Sequence, residues 1–122
     1  MGPTVNSEEM KDRTKQLALT IIRLCRTLPG SQEARIISRQ LLRSATSVAA
    51  NYRAVCRARS TADFISKLGL ILEEADETLF WLELLVDAGI TSKQQIYAPL
   101  DEANQLVSIF AASLRTVKGL KI

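Results

Sequence analysis

The 122-residue chain contains no histidine. The imidazole general base is therefore missing, and with it the Ser-His and Cys-His nucleophile pairs and every histidine-containing metal site. An enzyme is not expected, and no cofactor or metal is called for. Cysteine is nearly as scarce. Cys25 and Cys56 are too few and too isolated for a disulfide framework or a zinc site, and each has apolar neighbours in sequence, so both read as buried reduced thiols of a cytoplasmic protein. No apolar run is long and uncharged enough to suggest a membrane span, and the opening Met1-Gly2-Pro3-Thr4 lacks the charged-then-apolar pattern of a secretory signal. Five glycines, three prolines and little alternation of β-branched residues leave few places to turn, which favours a few long helices over many strands.

What is present is 47% hydrophobic and 24% charged residues, enough for one domain with a core and too little for two. Apolar spacing marks four helical segments at about residues 8–28, 32–58, 61–88 and 93–118. The first carries Met10, Leu17, Ile21, Leu24 and Leu28 and stops at Pro29-Gly30. The second carries Ile37, Leu41, Ala45, Val48, Tyr52 and Val55. Ser60 with Asp63 forms a capping-box-like start for the third, whose stripe is read as Phe64, Leu68, Ile71, Ala75, Leu79, Leu82 and Val86, with Gly89 as the stop. Ser92 with Gln95 opens the fourth, and Pro99 predicts either a kink or a short separate first turn. Short connections predict an all-α, antiparallel up-down-up-down four-helix bundle.

Helix three has more apolar surface than one seam requires. Leu70, Trp81, Leu84 and Leu85 lie off its main stripe, and Ile36, Leu42, Ile22, Leu106 and Ile109 do so elsewhere, so a broad core and a subunit interface both remain open, with those four on helix three the interface candidates.

The formal charge of +3 is a remainder. Residues 31–59 hold six arginines against Glu33 alone, a net of +5, whereas residues 60–90 hold seven acids against Lys67 alone, a net of −6. Arg35, Arg39 and Arg43 recur every four residues and form one ridge, continued by Arg53 and Arg57. A guanidinium makes two parallel hydrogen bonds to a carboxylate or a phosphate, so the ridge suits the acidic third helix or a nucleic-acid backbone. Arg35, Arg39, Arg53, Arg57 and Arg59 are the candidates for phosphate binding. With aromatics mainly on core-like stripes, binding would be backbone-directed and weakly sequence-specific. Gln40, Ser44, Ser47 and Asn51 run beside the apolar stripe of helix two. Gln40, Arg43, Ser47 and Asn51, together with Glu74 and Glu77, are expected to form a structural polar network that fixes helix pairing. A di-metal reading of Glu73, Glu74, Asp76 and Glu77 fails for want of Glu-x-x-His pairs.

The runs Gln40-Leu-Leu-Arg43-Ser-Ala-Thr-Ser47-Val-Ala-Ala-Asn51, Phe64-Ile-Ser-Lys67-Leu-Gly69 and Leu72-Glu-Glu-Ala-Asp-Glu-Thr-Leu-Phe-Trp-Leu-Glu-Leu84 resemble the bacterial four-helix-bundle proteins of the 23S rRNA intervening-sequence type, over about residues 8–118. That resemblance implies a homopentamer, often with a basic surface. It also implies a place among proteins encoded in intervening sequences of 23S rRNA genes, as standalone genes, or as accessory variability determinants of diversity-generating retroelements, which look like nucleic-acid-binding partners of a reverse transcriptase. One departure stands out: the family's Glu soon after the position of Asn51 is missing, and Arg53 is followed here by Ala54 and Val55. The leading expectation is thus a homo-oligomer that binds RNA or DNA; the alternative is a protein-protein adaptor whose arginines are used in ion pairs.

Overall fold

The computed structural model describes residues 7–119, and every described regular element is helical: α1 Ser7–Arg26, α2 Gln32–Val55, α3 Thr61–Asp87 and α4 Lys93–Lys118. Each helix packs on two others, α1 and α3 both lying against α2 and α4, which is the contact pattern of a four-helix bundle.

The helix ends follow from local chemistry. Ser31, Ser60 and Ser92 sit in extended backbone and accept the amides of Ala34, Asp63 and Gln95. Only Ser92 forms the reciprocal box, Gln95 Oε1 accepting the Ser92 amide at 2.9 Å. Asp63 reaches one residue further back and accepts the Arg59 amide at 3.1 Å, so it clamps the connection rather than the cap residue. At the far end of α3, Ile90 N–H donates to the Leu85 carbonyl and Gly89 N–H to that of Val86, with Gly89 at φ +74°, a Schellman stop in which glycine is the natural residue.

Two helices stop earlier than their apolar spacing predicts. Thr27 amide and hydroxyl both turn back onto the Leu24 carbonyl and end α1 at Arg26. After Val55, the amides of Arg57 and Ala58 bond three residues back, tightening the turn that must deliver Ser60 to its cap. Arg57 is therefore a connection residue and does not continue the ridge of α2. Cys56, expected to be buried, is exposed for the same reason, while Cys25 is half-buried with its thiol raised in pKa by burial. Pro99 does not split off a first turn. Helix α4 is unbroken from Lys93, because the carbonyl that Pro99 leaves without a partner belongs to exposed Gln95 at the helix start.

The core is a layered seam. In α3 it runs Leu68, Ile71, Ala75, Thr78, Leu82 and Leu85, and in α4 Ile96, Pro99, Ala103, Leu106 and Phe110. Leu85 and Leu106, which the sequence pattern set off the main stripes, are fully buried on these seams. Three buried hydroxyls are accommodated by donation: Thr14 to the Met10 carbonyl at 2.9 Å, Ser44 to the Leu41 carbonyl at 3.2 Å, and Thr78, with one proton, to Ser44 Oγ or the Glu74 carbonyl, each at 2.9 Å, whereas the buried Thr91 hydroxyl has no partner among the described residues.

Candidate nucleic-acid interface

The exposed side of α2 carries Arg35, Arg39, Arg43, Thr46, Ala50 and Arg53. Arg35 and Arg53 are five helical turns apart, so they share a face about 27 Å long. The arginines on it have different fates. Arg43 is committed to α3: its Nε donates to Gln40 Oε1 at 3.1 Å, its Nη1 to Glu74 Oε1 at 3.1 Å and its Nη2 to Glu77 Oε2, which also accepts from Trp81 Nε1 at 3.0 Å. Gln40, Arg43, Glu74, Glu77 and Trp81 thus form one connected group between α2 and α3. Asn51 and Ser47 stand apart from it, joined to each other at 2.8 Å.

Arg35 donates from Nη1 to the Gly30 carbonyl and makes no ion pair among the described residues. Arg39, Arg53, Arg57 and Arg59 are exposed, and none has a carboxylate partner among the described residues. The nearest acid to the last of these, Asp63, is taken by Lys67, whose Nζ lies 2.6 Å from both carboxylate oxygens. Sequence reasoning missed Arg115 and Lys118, which sit exposed in the last turn of α4. A basic last turn was the available signal, and it reads equally as a complement to the helix dipole.

Lys67 and the Arg59 amide hold the Asp63 carboxyl below the ordinary carboxylate range. A folded-state pKa below the unfolded one contributes stability that is complete above that range and is lost as pH falls through the folded value. Asp63→Asn should therefore lower the urea midpoint near neutrality, and the two proteins should converge in acid. A difference that persists in acid would count against this clamp.

A further ion pair between helices left no trace in the sequence. Arg13 of α1 binds Glu102 of α4 through Nε and Nη2, both at 2.9 Å, and Nη2 also reaches Gln105 Oε1 at 2.9 Å. The Glu102 carboxylate raises the Arg13 pKa, so this pair keeps its charge and joins the first helix to the last.

Of the four interface candidates, Leu70 is 45% exposed, Trp81 and Leu84 are half-buried, and Leu85 is 0% exposed. Leu85 is corrected to a core residue, since the chain's own seam uses its whole side chain. Phe80, not singled out by the sequence, is 51% exposed and meets Trp81 edge-on at 4.9 Å. Ile36 of α2 is a further exposed apolar side chain. Among the described residues no cluster of His, Cys, Asp or Glu could hold a metal ion, and no helix is long and apolar enough to cross a membrane.

These features define a four-helix all-α protein with an uncompensated basic edge. The chain belongs to the 23S rRNA-intervening sequence protein family, whose model matches residues 7–112. It is also similar to the crystal structure of a protein of unknown function from the S23 ribosomal protein family of Bacteroides thetaiotaomicron VPI-5482, with 33% identity and a TM-score of 0.81 over 89% of this chain and 97% of that one. No curated protein matches it.

Proposed function

We propose that the protein is a non-enzymatic, homo-oligomeric bundle, antiparallel up-down-up-down within the chain and pentameric between chains, that binds the backbone of RNA or DNA. The observation that carries this reading is the exposed set Arg39, Arg53, Arg57 and Arg59, without a carboxylate partner among the described residues. Repetition around an oligomer multiplies such contacts, and phosphate binding of this kind weakens steeply with salt. The family resemblance, which takes in accessory variability determinants as one of its groups, supports a reverse transcriptase as the enzyme that such a protein would accompany.

Reversing Arg53, Arg57 and Arg59 to Glu should weaken binding of a labelled oligonucleotide by more than about tenfold. The slope of log affinity against log salt should also fall, by about 1 for each phosphate no longer neutralised. The oligomer should persist; if it falls apart instead, these arginines, exposed in the single chain, are interface residues. Wild-type binding that is absent at low salt, or indifferent to salt, would sink the reading.

The Arg43 group favours a second reading, a protein-protein adaptor, since there an arginine is already spent on α3 carboxylates. The two separate on the same titration: an adaptor shows no salt-dependent nucleic-acid binding, and the triple reversal leaves it unmoved.

A further inference from the structure

A cavity of about 830 Å³ opens where the start of α1, the end of α2, the start of α3 and the end of α4 meet. Its floor is apolar: Met10, Val55, Leu68 and Phe110 are buried core residues, and Phe64 and Ile109 are half-buried against them. The volume lies in the range of small-molecule sites. Hydroxyls line only the rim, on exposed or half-buried residues such as Ser60, Ser108 and Thr116.

One charged residue, Arg59, lines this space, and it stands at the mouth without a carboxylate partner among the described residues. Beside it begins α3, whose first amides, those of Thr61 and Ala62, are left over once Ser60 Oγ has taken the Asp63 amide. The nearby carboxylate, Asp63, is bonded to Lys67 and only feels the Arg59 charge at longer range, without an ion pair to it, so the Arg59 guanidinium keeps its donors for a ligand.

An uncharged apolar chamber closed by a single cation is complementary to a ligand with an apolar body and one anionic end. Apart from the half-buried Tyr52 hydroxyl beside Cys56, the described floor residues carry no side-chain donor or acceptor to orient a nucleobase, which would give up most of its own hydrogen bonds on entry. An acyl chain has none to lose.

We propose that this cavity binds a free acyl carboxylate, the chain on the apolar floor and the carboxylate on Arg59 at the start of α3. The site shares Arg59 with the proposed phosphate-binding set, but its test uses no nucleic acid, so either reading can fail without the other. Cys56 lines the cavity and is exposed, so its alkylation reports occupancy, with half-buried Cys25 as an internal reference.

The test uses the full chain with iodoacetamide and dodecanoate as the probe. Dodecanoate should slow Cys56 alkylation saturably and leave Cys25 unchanged. Dodecan-1-ol should protect about tenfold less well, for want of one charge-assisted hydrogen bond, and dodecyltrimethylammonium should not protect. Arg59→Gln should bring dodecanoate down to the level of the alcohol without altering the alcohol itself. Ser113→Phe, which fills the rim, should remove protection by both. Equal protection by acid, alcohol and cation overturns the proposal, as does protection that survives Arg59→Gln. Vesicles of phosphatidylglycerol should give no protection; if they protect, the surface meets a membrane and the free-acid assignment is wrong. A Cys56 that resists alkylation with nothing added means the chamber is already filled by protein, which also overturns it.

Discussion

Phe110→Ala is expected to lower the unfolding free energy by about 3–5 kcal/mol, roughly 10–20 °C in melting temperature. Phe110 is 1% exposed, closes the seam of α4 and stacks on Tyr52 with ring centroids 6.1 Å apart and planes 23° from parallel. Its removal forfeits the transfer energy of the ring and the aromatic contact. The surroundings cannot collapse to recover much of either, because the residue already borders the chamber at the end of the helices and the new void joins it. Phe110→Leu keeps most of the volume and should cost less than about 1.5 kcal/mol. Melting must be followed at one protein concentration, since assembly would itself raise the transition temperature. A loss below about 1 kcal/mol for the alanine variant would mean that this end of the core is not packed as described.

Tyr52 gives the same location a second signature. Burial, with Cys56 next, raises its hydroxyl pKa above the usual tyrosine range. Opening the packing around Phe110 should return it toward that range.

Four helices, the serine caps of α2, α3 and α4 and the glycine stops of α3 and α4 were legible because each rests on contacts within a few residues. Seam assignment was harder, and the reason is specific. Heptad reading treats a hydroxyl as a break, so the stripe of α3 was carried through Leu79 and Val86, although the buried line passes through Thr78 to Leu85. Thr78 is tolerated there because Ser44 Oγ of α2 or the Glu74 carbonyl receives its proton, and nothing local announces a partner 34 residues away. Thr14 hides a core position on α1 in the same way, satisfied by its own helix. The segregation of charge between α2 and α3 was visible in composition. So was the neutralised arginine, since Arg43 was grouped with Glu74 and Glu77 and kept out of the phosphate candidates, and packing puts it beside them; what the pattern could not show is that, among the described residues, Ser47 and Asn51 bond only each other and stand outside that group.

Leu70→Asp combined with Phe80→Asp should convert the proposed pentamer to monomers, read by light scattering as a fall from five chain masses to one, with 13.5 kDa per chain. Both side chains are about half exposed on α3 and contribute nothing irreplaceable to the chain's own core. Burial of a large apolar side chain is worth about 1.5–3 kcal/mol when complete, and in a closed ring each subunit contributes the same patch again. An aspartate in that position reverses the sign, since it must be desolvated without a designated partner. Helical content should be unchanged, because neither residue touches the seam. Leu85→Asp is the contrast: with its side chain wholly inside the core, it should unfold the chain rather than merely dissociate it. The pairing of these variants separates interface from core on one helix. A wild-type chain that scatters as a monomer at every concentration would refute the assembly. A double variant that remains assembled would move the interface away from Leu70 and Phe80.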